Sequence, residues 1–273
     1  MNQTLYLECY SGISGDMMTA ALLDLGADEK VLLEALESLP VKGFQTEVRR
    51  VSQAGLDACD FHVILDHEHE NHDHDMEYLH GHIHGHFHGD HGHHSHDHEH
   101  RGLTEILEIL CRAQITDGAR EKAVRIFEIL AEAEARAHGT SIEKAHFHEV
   151  GAVDSIVDIT AAAVCLDNLQ IDKVIIPVLY EGSGSVRCQH GVIPIPVPAV
   201  TAITSRYSLP VHMTDVQGEL VTPTGAAIAA AIRTSSRLPE RFVIEKTGIG
   251  AGKREYERPS LLRAMLIRET ENS

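Results

Sequence analysis

The sequence predicts an α/β or α+β protein in which helices cover a mixed sheet. Short segments in which apolar and polar residues alternate, as in half-buried strands, are interleaved with longer segments of helical periodicity. The chain has 273 residues, of which 43% are hydrophobic, which is enough for a substantial core. We predict one α/β core formed by residues 1–65 and 101–273, interrupted by a histidine-rich insertion at residues 66–100.

The N-terminal part predicts a strand, a glycine turn and a helix. Alternation from Thr4 to Tyr10 indicates the strand, the sequence SGISGD indicates the turn, and the helix follows from Met17 to Leu25. A second helix is predicted at 28–39, and two strands at 44–51 and 59–65 are joined around Gly55.

The part after the insertion predicts further helices and strands. Helices are predicted at 103–113, 117–138 and 154–168, followed by a buried strand from Val174 to Tyr180. The sequence IPIPVPAV is expected to form a helix or an extended run, and VTPTGAAIAAAI indicates another helix. Strands at 241–249 and 261–267 complete the predicted mixed sheet.

The insertion is a histidine comb that predicts transition-metal binding. It holds 15 of the 21 histidines, interleaved with Asp and Glu and without cysteine. Imidazole suits nickel, zinc and copper(II), whereas a closed structural zinc site usually contains thiolates. The candidate metal ligands are His67, His69, His72, His74, His80, His82, His84, His86, His88, His91, His93, His94, His96, His98 and His100.

The comb's composition favours capture and exchange of a metal over one fixed geometry. Many overlapping chelates are available, and the interleaved carboxylates raise the local cation concentration. Such a segment cannot bury enough apolar surface to fold alone, so we expect disorder without metal. A passive metal buffer and a purification tag are the alternatives, and the internal position and acidic interleaving disfavour the tag.

Charge and cysteine usage narrow the class of protein. A formal net charge of −18 at pH 7 disfavours nucleic acid and anionic membranes as partners and favours cations. Five dispersed cysteines without a C-x-x-C motif disfavour a disulfide framework. The start, MNQTLYLECYSG, lacks the features of a signal peptide, so we expect a cytoplasmic protein.

Acidic and histidine side chains in two segments are candidates for catalysis. Asp16 follows the first glycine turn, where it could bind a metal or cap the helix. In HFHEVGAVDSIVD, His146, His148 and Glu149 form a compact ligand set, while Asp154 and Asp158 share one helical face. A helix N-terminus favoured by acidic residues explains Asp154 but not the two histidines.

Glycine-rich segments are candidates for binding a phosphate-bearing cofactor. Glycines allow close approach of the backbone, and hydroxyl or ammonium groups add donors, although simple turns between strands are an alternative. None of these segments is a Walker or dinucleotide fingerprint. The candidates are Ser11, Gly12, Ser14, Gly15, Thr224, Gly225, Gly250, Gly252 and Lys253.

Taken in order, SGISGDM, HFHEVGAVDSIVDI, HGVIPIPVPAV, GELVTPTGAA and GIGAGKRE resemble the LarC family of nickel insertion proteins. The resemblance implies a cytosolic lyase-type nickel chelatase that inserts Ni(II) into pyridinium-3,5-bisthiocarboxylic acid mononucleotide. It also implies a carbon–nickel bond flanked by two sulfurs, CTP hydrolysis assisted by Mg²⁺ or Mn²⁺, and delivery of the product to apo lactate racemase. His148 or Glu149 is then a candidate acceptor for the displaced ring proton.

The resemblance also implies a C-terminal domain that binds the cytidine nucleotide and is absent from these 273 residues. Some relatives are encoded as two pieces joined by translational frameshifting, so we expect this chain to be the N-terminal piece, with a C-terminal partner polypeptide. Glu8 stands where the family commonly has Asp, which preserves the carboxylate. The alternatives are a nickel or zinc storage metallochaperone without chemistry and, with less support from the comb, a metal-dependent phosphate-ester hydrolase.

Overall fold

The predicted mixed sheet covered by helices is present. A computed structural model describes residues 3–66, 102–142, 153–188 and 191–270. The helices are α1 (Gly15–Leu25), α2 (Glu29–Glu37), α3 (Leu103–Arg112), α4 (Asp117–Ala137), α5 (Val153–Asn168), α6 (Pro198–Arg206) and α7 (Pro223–Ile232). The strands are β1 (Gln3–Glu8), β2 (Phe44–Gln53), β3 (Leu56–Leu65), β4 (Ile171–Ile175), β5 (Leu179–Ser183), β6 (Ser185–Cys188), β7 (Gly191–Pro194), β8 (Val211–Gln217), β9 (Phe242–Ala251) and β10 (Leu261–Glu269).

Six strands form the main sheet in the order β2-β3-β9-β10-β1-β4. Strand β1 pairs antiparallel with β10 and parallel with β4, so the N-terminal strand lies inside the sheet. Strands β2 and β3 form a ten-residue antiparallel hairpin, and β3 meets β9 in a parallel pairing of Cys59 with Gly250. Two smaller ladders, β5 with β8 and β6 with β7, lie outside this sheet.

The hydrophobic core lies between the main sheet and its helices. The alternation in β1 buries Leu5 and Leu7 completely, because one face of the strand meets the helical layer. Helix α1 packs on β3, β9 and β10, and α5 packs on α1 and α4. Helix α5 is apolar on nearly all sides, as expected for a helix buried between neighbours.

The predicted strand from Val174 to Tyr180 is divided into two strands. Strand β4 ends at Ile175 as the edge of the main sheet, and β5 begins at Leu179 and pairs with β8. Pro177 lies between them, and proline has no N–H group for a strand ladder. The predicted single strand was therefore wrong in extent, and its two halves belong to different sheets.

Candidate functional site

The turn between β1 and α1 is packed against the start of α7 through backbone atoms. Gly12 has a φ of +83°, and a Cβ atom on it would lie 1.9 Å from the Leu220 carbonyl oxygen. Ile13 N donates to that same oxygen at 3.1 Å. A Cβ atom on Gly225 would lie 2.0 Å from the Ile13 carbonyl oxygen. Close packing therefore requires glycine at two of the predicted cofactor-binding positions, Gly12 and Gly225, whether or not they bind a ligand.

This packing places two helix N-termini side by side. Ser14 is the N-cap of α1, but its hydroxyl donates to the Asp16 carboxylate instead of capping a backbone N–H. Thr222 caps α7 in the usual way, because its hydroxyl oxygen accepts from Gly225 N at 3.0 Å. The predicted segments that contain Ser11, Ser14 and Gly15, and Thr224 and Gly225, are thus brought together.

Asp16 and Lys253 form the charged centre of this region. The Lys253 ammonium lies 3.5 Å from the Asp16 carboxylate, whose side chain is only 13% exposed. Asp16 Oδ1 also accepts from Met17 N at 2.8 Å, which fixes the carboxylate at the first turn of α1. A predicted catalytic residue and a predicted cofactor-binding residue therefore meet, although they are distant in sequence.

Glycines in β9 account for the position of Lys253. A Cβ atom on Gly250 would lie 2.1 Å from the Met17 carbonyl oxygen, and one on Gly248 would lie 2.3 Å from that of Ala21. Bare backbone therefore allows β9 to lie directly on α1. A Cβ atom on Gly252 would lie 2.4 Å from the Ser260 hydroxyl.

Asp158 belongs to this site, although from the sequence we noted only that it shares a helical face with Asp154 and did not select it as a catalytic residue. A Cβ atom on Gly15 would lie 2.9 Å from the Asp158 Cβ, so α5 touches the start of α1 at this point. Its Oδ1 atom is buried and accepts no hydrogen bond from the described residues. Its spacing of four from Asp154 on one helical face was the signal that could have identified it.

The environment of Asp158 favours its protonated form. Burial, and then the neighbouring Asp16 carboxylate, raise the pKa of Asp158 well above its usual range, while Lys253 lowers it and Asp154 raises it. Two carboxylates and one ammonium group, partly shielded from water, therefore form a charged site in which Asp158 holds a proton more tightly than a solvated aspartate does.

A second buried acid, Glu181, supports the loop beside this site. Its Oε1 atom accepts from the backbone N–H groups of Gly182, Leu220 and Val221 at 2.8, 2.8 and 3.1 Å. The side chain is fully buried, and burial raises the pKa of Glu181 despite these hydrogen bonds. Glu181 therefore fixes the backbone that Ile13 pairs with. Glu181 was not among the candidate residues selected from the sequence.

Several predicted residues lie outside the described ranges. These are His146, His148, Glu149 and the whole comb, from His67 to His100. In residues 3–66, 102–142, 153–188 and 191–270, no three His, Cys, Asp or Glu side chains are grouped so that they could hold a metal ion. Within the same residues, no helix is long and apolar enough to cross a membrane.

The fold and the site define an α/β protein with a charged centre at two adjacent helix N-termini, as expected for binding a charged small molecule. The model of the family described as nickel insertion protein matches residues 5–273, and this chain belongs to that family.

Curated relatives agree with this assignment. The chain is 52% identical over 272 residues, 100% of its own length and 62% of the relative's, to the pyridinium-3,5-bisthiocarboxylic acid mononucleotide nickel insertion protein of Alkaliphilus metalliredigens. It is 42% identical over 270 residues (97% and 64%) to the protein of the same name from Clostridium acetobutylicum. The chain therefore spans about three fifths of the length of these relatives. No solved structure matches it.

Proposed function

We propose that this chain is the part of a nickel insertion protein that captures Ni(II) and inserts it into pyridinium-3,5-bisthiocarboxylic acid mononucleotide. The observation that carries the proposal is the meeting of Asp16, Lys253 and Asp158 at two helix N-termini in a chain of this family. The product would serve apo lactate racemase, and the reaction is that of a lyase-type nickel chelatase.

Nickel is the substrate ion, and the comb is its point of capture. Imidazole ligands bind Ni(II) well but exchange it, so that the sulfur atoms of the mononucleotide can take the ion over. In sequence, the comb lies between β3 and α3, so its ligands belong to a different segment of the chain from Asp16, Asp158 and Lys253.

The helix N-termini suit the anionic part of the mononucleotide. Helices α1 and α7 begin beside each other, and their first N–H groups and dipoles favour a phosphate. Lys253 adds an ammonium group on a side chain that is 41% exposed and therefore accessible to a ligand. Ser11, Gly12, Ser14, Gly15, Thr224 and Gly225 belong to the same two segments.

Asp158 is a candidate acceptor for the proton that nickel displaces from the pyridinium ring. Formation of a carbon–nickel bond on the pyridinium ring breaks a carbon–hydrogen bond, and the released proton needs an acceptor. The raised pKa of Asp158 makes its ionised carboxylate a stronger base than a solvated aspartate, so Asp158 suits the acceptor role once it has released its own proton. His148 and Glu149 remain candidates for the same role.

The described residues do not offer a ligand cluster for the Mg²⁺ or Mn²⁺ that the resemblance implies together with CTP. Carboxylate oxygens are suitable ligands for these ions, but the acidic residues here are not grouped for coordination within the described ranges. The Asp16 carboxylate is already paired with the Lys253 ammonium group. No step of the proposed mechanism therefore passes through the nucleotide.

The test is a nickel-insertion assay with the purified chain, Ni(II), the bisthiocarboxylated mononucleotide, Mg²⁺ and CTP. It is run with and without the C-terminal part of the Alkaliphilus metalliredigens relative, and the product is scored by mass and by activation of apo lactate racemase. We expect Asp16→Asn, Asp158→Asn and Lys253→Gln to reduce insertion at least ten-fold, with Glu121→Gln, an exposed acid on α4, as the matched control. Normal insertion by all three variants would refute the site.

The comb favours a second candidate function, a nickel or zinc storage metallochaperone without chemistry. Deletion of residues 66–100 separates the two, because an insertase should retain activity at high nickel concentration. If the intact chain binds nickel tightly but does not insert it, with or without the C-terminal part of the relative, the storage function is favoured.

A further inference from the structure

Three aromatic side chains form a cluster beside the glycine turn, outside the charged centre. The ring centroids of Tyr10 and Tyr180 are 4.8 Å apart with their planes at 75°. The centroids of Tyr180 and His212 are 4.7 Å apart with their planes at 47°. We call Tyr10, Tyr180 and His212 the aromatic corner.

The aromatic corner is fixed by backbone pairing and open to solvent. Cys9 and Leu179 form a parallel bridge, and Tyr180 N donates to the Cys9 carbonyl oxygen at 3.3 Å. Tyr180 and His212 are directly opposite each other in the β5–β8 ladder. Tyr10 is nevertheless 49% exposed, and His212 is exposed as well.

Tyr10 and Tyr180 meet at a steep angle. In a T-shaped pair, the ring that presents its edge keeps both of its faces free of its neighbour. A third planar ring can therefore stack on the face of one of these two rings while its edge contacts the other. The same Cys9 carbonyl oxygen accepts from Gly12 N at 3.1 Å, so the corner is joined directly to the turn that carries the predicted phosphate-binding residues.

We propose that the aromatic corner is a binding site for a cationic aromatic ring, and that the pyridinium ring of the mononucleotide stacks on Tyr10 and Tyr180. The identity of the ring rests on the proposed function. A pyridinium ring carries a positive charge, and the electron-rich faces of tyrosine attract cations as well as planar rings. The nearby Glu8 carboxylate is paired with Arg263, so it does not repel the anionic thiocarboxylates.

Calorimetry on the full chain tests this site with nicotinic acid mononucleotide, a pyridinium-3-carboxylic acid mononucleotide. Ribose 5-phosphate, which has the phosphate but no ring, is the second probe. We expect Tyr10→Leu and Tyr180→Leu each to weaken binding of the mononucleotide roughly ten-fold while leaving ribose 5-phosphate unaffected. Tyr10→Phe keeps the ring and should bind like the wild type.

A matched control and a direct optical signal accompany these variants. Tyr207 lies at the end of α6, where its ring contacts Arg125 and Arg206, so Tyr207→Leu should not change mononucleotide binding. The chain has six tyrosines and no tryptophan, so stacking should quench tyrosine fluorescence of the wild type, and less so of Tyr180→Leu. This fluorescence measurement tests the site even if the Tyr10→Leu variant does not fold stably.

Three results would overturn the proposal: no binding of the mononucleotide by the wild type, equal binding of both probes, or wild-type affinity in Tyr10→Leu. The nickel-insertion assay distinguishes failure of the aromatic corner as a ring-binding site from failure of the proposed function. The aromatic corner predicts a raised KM and an unchanged kcat in Tyr10→Leu, so insertion with an unchanged KM would refute the corner alone. Ring binding without insertion by the wild type would refute the insertase and retain the corner.

Discussion

Replacement of Asp158 by asparagine should stabilise the protein at neutral pH while removing its function. Asparagine has nearly the same shape, but it carries no charge beside Asp16 and Asp154. Because burial, and then Asp16, raise the pKa of Asp158, the folded protein binds a proton at this group more tightly than the unfolded chain. The contribution of this group is therefore fully present below the unfolded pKa and is lost as pH rises through the folded pKa.

The size of the effect follows from the shift. Each unit by which the pKa is raised corresponds to about 1.4 kcal/mol of lost stability at pH above the folded value. For a domain of this size, about 1 kcal/mol changes Tm by roughly 2–4 °C. For each unit by which the pKa of Asp158 is raised, Asp158→Asn should therefore have a Tm about 3–6 °C above that of the wild type at pH 8. The difference in Tm should be much smaller at pH 4.

The assay is thermal unfolding followed by circular dichroism at several pH values between 4 and 8. The histidines also titrate in this range, but they are present in both proteins, so their effect cancels in the difference. Glu121→Gln serves as the control and should show no pH-dependent difference from the wild type. If the difference between Asp158→Asn and the wild type does not grow with pH, the raised pKa is refuted.

Three other substitutions test the packing and the charge of the site. Gly250→Ala places a methyl group 2.1 Å from the backbone of α1 and should lower the free energy of unfolding by about 1–3 kcal/mol or more in urea denaturation, whereas Gly102→Ala, with no atom within 4 Å, should cost about 1 kcal/mol or less. Equal effects would contradict the close packing. Thr222→Ala removes the cap of α7 and should cost about 1 kcal/mol in the same measurement, with Thr222→Ser restoring most of it. Lys253→Gln removes the cation that lowers the pKa of Asp158, so residual insertion should require a higher pH; a pH–rate profile that moves to lower pH would contradict this.

Local patterns predicted the elements that carry the site. The alternation after Thr4 and the glycine turn located the start of α1, and thus Asp16, because both signals depend on neighbouring residues only. The spacing of Asp154 and Asp158 gave one helical face for the same reason. Strand β8 escaped prediction because most of its side chains are polar or exposed, so the core leaves little pattern in the sequence.

The parts of the site that depend on distant pairing could not be predicted. Lys253 meets Asp16 only because β9 lies on α1, and that contact depends on glycines whose neighbours are far away in sequence. Glu181 gains its role from hydrogen bonds to Leu220 and Val221, which a local pattern cannot reveal. The positions of the histidine candidates stay predictions.

The β2–β3 hairpin has a consequence for how nickel capture can vary among proteins of this kind. Its ladder continues to Leu65, and Asp66 N donates to the Gly43 carbonyl oxygen at 2.9 Å, so the pairing is complete before His67, the first histidine of the comb. The cost of closing a flexible segment grows only with the logarithm of its length, about 0.6 kcal/mol for each doubling. On the proposed role of the comb, histidines can therefore be added or removed between β3 and α3 at little cost to the fold, and nickel binding can vary without any change to the charged centre.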